Sequence, residues 1–500
     1  MPKSFAILCL VPALILAGCA AGPQPRPGTP PVDPNLHAIY IDQHGELQEK
    51  PGAAPSPPAA SAVQDPTLAR KDDAYSARII ANFKREREAR PKLALTIFVH
   101  GGLNRADSAW ARAAAFSADM LREGQYALFV GWNSGGYTNY FDHLFRIRAG
   151  EYKPRQALLT SPIVVIGDAA RSIVNIPTAW YRTVADPLSV TTWYTRSVEL
   201  EYDQRIRVLD HLQINVSNKP PYRGVGASYW TILNPVKLLS APVVDGFGSG
   251  AWDSMLRRTD LVLSKPIAYE GRQPKRSWEE LEPAARAAAM PGVGAAFVPE
   301  TKELADTAVT RFLKDWINDE SLRGVPITLI GHSMGAIVVN NILARHPALS
   351  IDKVVFMGAA ARIKDVENGV VPWMRRPGND RSEFYNLSLD PYREIGENEF
   401  FDFVPRGSLL HWIDNIFGEV NSFKDRTVGG WWNVVRTAED VFPEPVRKRV
   451  YLTRFPIGAA GMGPQEHGDF DSYCFWRASY WKAQTPLMTY PECAAAYAPD

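Results

Sequence analysis

Five hundred residues, 46% apolar and 22% charged, allow a sizeable buried core and exclude a disordered or fibrous chain. Lys plus Arg number 55 and Asp plus Glu 54, so the formal charge of +1 gives no basic footprint for nucleic acid and no pull on strongly charged partners. The four cysteines have no metal-ligand spacing, and 14 Trp residues point to some exposed or half-exposed aromatic surface.

Lys3 precedes an apolar run, Phe5 to Leu16, which is too short to span a bilayer and has the length of a secretory signal. The run ends in Leu16-Ala17-Gly18-Cys19, which resembles the lipobox of bacterial lipoproteins. That resemblance implies a signal peptide over 1–18, an acylated Cys19 as the mature first residue and, with Ala20 behind it, a place in the outer membrane of the cell envelope. Acyl chains, at about 0.8 kcal/mol per buried methylene, would hold such a protein on a membrane without a transmembrane helix. Residues 19–66 are rich in Pro, Ala and Gly and read as a tether. Within them "HAIYIDQHGELQ" alternates well enough for a short hairpin that could dock as an extra sheet edge.

Between residues 72 and 90, Tyr75, Ile79, Ile80 and Phe83 fall on one helical face and the charge run "KREREAR" on the solvated one. Leu93 to Val99 is a buried strand that opens into His100-Gly101-Gly102. An amphipathic helix over Asp107 to Arg122 and a strand over Tyr126 to Val130 follow. After a long interval Ala305, Val309, Phe312, Leu313, Trp316 and Ile317 keep helical spacing and lead into "ITLIGHSMGAIVVNNIL" at 327–343. There an apolar β-branched run breaks on a polar triplet and resumes as a helix from Ala336. At the break Gly331-His332-Ser333-Met334-Gly335 fits G-x-S-x-G, the strained strand-to-helix turn that lifts a serine hydroxyl clear of a sheet. A Cβ at either glycine would collide with the neighbouring strand or helix. Strand candidates at 353–357, 383–389 and 450–455 complete an α/β pattern, a mainly parallel sheet with helices on both faces.

Functional residues of such a sheet belong at the carboxyl ends of its strands. Asp390 follows "EFYNLSL" directly, and His467 lies in "IGAAGMGPQEHGDF" after the last strand. Asp390-Pro391 also reads as a turn opener, with Asp365, Asp402 and Asp414 as alternative acids; His411 competes with His467 but fits an apolar helix, and His332 and His346 read as structural. With the elbow and the HGG loop, the order Ser333, Asp390, His467 resembles serine α/β-hydrolases of the esterase/lipase kind over about residues 90 to 137 and 300 to 475. The resemblance implies an α/β-hydrolase fold in which Ser333 is the nucleophile, His467 carries its proton and Asp390 fixes the histidine tautomer. It implies an oxyanion hole built from the N–H of Met334 and that of Gly102 or Leu103, each donor worth roughly 3 to 4 kcal/mol. No P-loop occurs, "GFGSG" at 246–250 is not a dinucleotide fingerprint, and neither cofactor nor metal is expected.

More than two hundred residues separate His100 from Ser333, so 138–298 reads as a large, mostly helical cap inserted between two parts of the hydrolase domain, 67–137 and 299–500. A smaller insertion over 400–445, carrying Trp412, Phe417, Trp431 and Trp432, could complete the roof. The expected activity is cleavage of a small-molecule or lipid ester by a membrane-anchored hydrolase, without nucleic acid. Acyl transfer to an alcohol would use the same residues, whereas a non-catalytic binding lipoprotein would more readily have lost one of them. Cys9 leaves with the signal and Cys19 is acylated, which leaves Cys474 and Cys493 to pair in an oxidising compartment. Closing that loop of about 20 residues is worth roughly 3 kcal/mol in the chain-entropy model.

Overall fold

The computed structural model describes residues 23–50, 71–102, 104, 107–148, 151–193, 212–214, 234–266, 304–397, 404–418, 420–458, 461–484 and 486–497. Cys9, Cys19, Leu103 and Asp402 lie outside them.

Among the described residues the main sheet has nine strands. They are β1 (Ala38–Ile41), β2 (Leu47–Gln48), β3 (Ala94–Val99), β4 (Gln125–Trp132), β5 (Leu212–Ile214), β6 (Ile327–His332), β7 (Lys353–Met357), β8 (Glu383–Ser388) and β9 (Val450–Arg454). They lie side by side as β2-β1-β4-β3-β6-β7-β8-β9-β5, parallel throughout except for the β1/β2 pair. The parallel strands are apolar on both sides because both faces are covered. Alternate residues go to opposite layers. Ile97, Leu329 and Val354 pack on one side with α1 (Lys71–Ala89), α7 (Ala308–Asn318) and α8 (Gly335–Arg345). Phe98, Ile330 and Val355 pack on the other with α2 (Ser108–Arg122) and with Phe475, Trp476 and Tyr480 near the C-terminus.

The hairpin expected within the tether region takes a sheet edge, whereas the insertion departs in part from its expected place. The tether region 19–66 is folded in part: Ala38–Ile41 joins the sheet beside β4, and Arg26 pairs with Asp119 of α2 at 2.9 Å. The insertion contributes β5 to the far edge of the sheet as well as the four helices that bear on its role. A three-residue strand leaves no alternating run to read, which is why "HLQINV" gave no signal. Those helices are α3 (Gly136–Phe145), α4 (Pro154–Val174), α5 (Ile176–Trp193) and α6 (Pro235–Leu261), with α6 packed against the other three.

Cys474 and Cys493 lie at bonding distance, 2.13 Å between sulfurs, and both are buried in the second layer. The expected pairing is present there, and it pins the segment that follows His467.

Candidate active site

β6 ends at His332 and α8 starts at Gly335, so the chain must reverse within two residues. Ser333 makes that turn with φ of +52°, a left-handed backbone conformation that costs a non-glycine residue about 1–3 kcal/mol. Three backbone hydrogen bonds hold it: its N–H donates to Met357 O (2.9 Å), and its carbonyl accepts from Ala336 (3.2 Å) and Ala360 (2.9 Å). The flanking glycines are required sterically. A Cβ at Gly331 would stand 2.7 Å from Ala336 Cα, and one at Gly335 only 2.0 Å from Val99 O.

The turn aims Ser333 at a histidine from the other end of the sheet. His467 begins a short 3-10 segment beyond β9, and its Nε2 lies 2.9 Å from Ser333 Oγ. The pair is enclosed, Ser333 being 2% and His467 7% exposed. Burial is the main cause that pushes the His467 imidazole down to about 3, and the neighbouring His332 adds to it. His332 sets the histidine's main chain, its Nε2–H donating to the His467 carbonyl at 3.0 Å. A buried bond to a backbone carbonyl agrees with the structural reading of His332.

The loop after β3 lies against the serine. A Cβ on Gly101 would be 2.7 Å from Ser333 Cβ, and one on Gly102 would be 2.6 Å from Met334 Sδ and from Met255 Cε of α6. Gly101 O accepts from Asn104 Nδ2 (2.9 Å) and Ser134 Oγ (3.3 Å) and lies 2.6 Å from His100 Nδ1. His100 stacks on Trp132 and accepts the Trp132 N–H on Nε2 at 3.0 Å, so its proton sits on Nδ1; burial lowers it to about 3. Arg112 joins the two halves of the site. It holds Asp471, four residues past His467, at 2.6 Å and Asn104 Oδ1 at 3.2 Å. Gly102 thus packs on the side chain of Met334, the residue that follows Ser333.

The expected acid is placed differently. Asp390 does lie two residues beyond the end of β8, but its Oδ1 accepts the Tyr392 N–H at 3.0 Å and caps the helix Pro391–Gly396, while Oδ2 lies 3.9 Å from Arg454 Nε. Among the described residues His467 Nδ1 is buried without a hydrogen-bond partner, and it faces Gly358. The structure thus brings Ser333 and His467 together and leaves Asp390 off the ring. Both readings of Asp390-Pro391 were available, and the turn opener is the one realised. Among the described alternatives, Asp365 caps Arg362, Asp414 takes Thr427 and Asn433, and His411 bonds Asn415, so none of these fills the gap; Asp402 lies outside the described residues. The carboxylate that does touch His467 is Glu397, whose Oε2 accepts the His467 backbone N–H at 2.9 Å. Burial raises Glu397 to about 7 and its neighbour Glu394 to about 8. Sequence reasoning passed over both, although "EIGENEF" puts three glutamates, Glu394, Glu397 and Glu399, within nine residues of Asp390.

Among the described residues no three metal-ligating side chains converge. No family model, curated protein or solved structure matches the chain.

Proposed function

We propose that this protein is a serine hydrolase of the α/β-hydrolase type that cleaves carboxylic esters through an acyl-enzyme on Ser333. The observation that carries the reading is the 2.9 Å contact between His467 Nε2 and the hydroxyl of a serine held at φ of +52°. A left-handed backbone is costly for serine, and a nucleophile elbow is a reason to bear that cost, because it turns the hydroxyl away from the sheet and onto the histidine. In the proposed step Ser333 Oγ bonds to the ester carbonyl carbon and its proton passes to His467 Nε2. The carbonyl oxygen becomes an oxyanion between the N–H groups of Met334 and Gly102. Collapse breaks the ester bond, the alcohol leaves with the proton from Nε2, and water repeats the sequence to release the acid.

For Nε2 to accept, the imidazole proton must sit on Nδ1, the buried ring nitrogen that has no partner among the described residues. We assign its stabilisation to Asp390, just beyond the carboxyl end of β8, because such hydrogen bonds often close only in the substrate complex. The short Gly-rich approach and the apolar Met255 beside it favour an ester with an apolar acyl group. Attachment to the envelope through Cys19 belongs to the same proposal.

Labelling with a fluorophosphonate, followed by a chain-length panel of aryl esters, tests the reading. Ser333→Ala should abolish labelling and turnover with the fold intact. Turnover within about tenfold of the parent would exclude the serine mechanism.

A further inference from the structure

The insertion turns an apolar face outward. Among the described residues α4 is the one helix long and apolar enough to cross a membrane, yet it is packed along one side only. Its small residues Ala157, Ser161 and Ser172 are buried, and the approach to α6 is so close that a Cβ on Gly246 would stand 2.0 Å from Ser172 Oγ. The opposite side is bare: Leu159 is 81%, Ile163 70%, Ile166 68% and Val174 75% exposed, continued by Trp180 and Tyr181 of α5 and Leu239 of α6. Solvated single apolar residues are ordinary, but a contiguous face of this kind marks a contact surface.

The chemistry of this face distinguishes lipid from a protein partner. From Leu158 to Ala170 every exposed side chain is apolar. The one acid there, Asp168, turns inward, accepting from Tyr140 at 3.1 Å beside His143 at 3.4 Å. The hydroxyls of Thr160, Ser161 and Ser172 each bond back to a carbonyl of their own helix, at 2.8, 2.9 and 2.9 Å. The face therefore offers no donor or acceptor, where a protein interface carries about one hydrogen bond per 100–200 Å². Its ends are basic and aromatic: Tyr152 and Arg155 at one, and Arg171, Trp180 and Tyr181 at the other, all exposed. That is the rim expected at an anionic headgroup layer. A crossing helix would have to leave α6, to which Arg171 and Asn175 are tied through Asp245 at 3.3 and 3.0 Å.

We infer that this face of the insertion lies flat in the interface of an anionic lipid bilayer, as a second membrane contact independent of any acyl group on Cys19. It depends neither on esterase activity nor on the lipobox. The chain without residues 1–18, which precede the described fold, and carrying Cys19→Ser should co-sediment with vesicles of phosphatidylethanolamine and phosphatidylglycerol. Leu159→Glu, Ile163→Glu and Ile166→Glu combined should weaken that binding about tenfold or more, with thermal unfolding and fluorophosphonate labelling unchanged. An environment-sensitive fluorophore on Ile163→Cys should shift to the blue on adding the same vesicles, a reading that does not require the triple variant to fold. No sedimentation of the parent chain, no blue shift, or equal binding by a folded triple variant overturns the inference. A triple variant that changes oligomeric mass by light scattering while still binding vesicles gives the face to a second copy instead.

Discussion

Acidification should act on His467 with a sign and size that the structure sets. Burial holds its imidazole down to about 3 in the fold, against about 6.5 in an unfolded chain. A group that must stay neutral when folded but can charge when unfolded contributes its full stability above about pH 6.5 and loses it as the pH falls toward 3. Between about pH 7.5 and pH 5 the loss works out at about 2 kcal/mol. The parent protein will not show it plainly, because Glu394, raised to about 8, and Glu397, raised to about 7, are stabilised over the same fall in pH. The assay is therefore a difference: urea unfolding of the parent and of His467→Gln at both pH values. The gap between the two proteins should move by about 2 kcal/mol against the parent as the pH falls. Turnover gives a second reading, since a base that stays neutral to about 3 puts the acid limb of kcat/KM below about pH 5. A gap that does not change with pH, together with a limb near 6.5, would refute the claim that the His467 imidazole is held neutral by burial.

Gly335→Ala places a Cβ 2.0 Å from Val99 O, so urea unfolding should show a loss of at least about 1–3 kcal/mol, with kcat falling as Ser333 moves. Gly167→Ala on α4, whose Cβ meets open space, should instead gain about 0.5–1 kcal/mol. For the acid, Asp390→Asn should lower kcat by about 10⁴, and Glu397→Gln, which holds only the His467 main chain, by less than about tenfold; the reverse order of the two would transfer the role to Glu397. Reduction, or Cys493→Ser, should cost roughly 3 kcal/mol in thermal unfolding and lower turnover more than ester binding, a split that kcat and KM measured separately will reveal; two titratable thiols in the unreduced, unfolded protein would contradict the bridge.

The elbow was legible because three constraints fall within five residues: two glycines that nothing else can replace, and a serine between a β-branched run and a helix. The strands from β3 to β9, β5 excepted, were legible for a related reason, since buried parallel strands are short apolar runs bounded by turn residues. Even the hairpin "HAIYIDQHGELQ" found its edge beside β4. What a linear pattern does not encode is which oxygen a carboxylate gives to which partner. Asp390 carries the residue type and strand-end position of a catalytic acid, and also those of an N-cap, and only the fold tells which partner its oxygens take. Likewise Arg112 and Asp471 are ordinary helix and loop residues until the fold brings them within 2.6 Å across the site. The region 138–298 was legible as a mostly helical insertion, but only the close packing at Gly246 tells which side of α4 is turned away from the protein.

The placement of β5 orders events in time. It belongs to the insertion, yet its sheet neighbour is β9, made well over two hundred residues later. A chain emerging N-terminus first can pair β3 with β4, then β6 with β3, long before the strand that β5 needs exists. The far end of the insertion must therefore wait, and contacts that span so much chain are the slow ones to form. His467 is synthesised just after β9, in the same late stretch. Any chain cut short before residue 450 has the residues of the elbow but lacks both His467 and the strand beside which β5 lies.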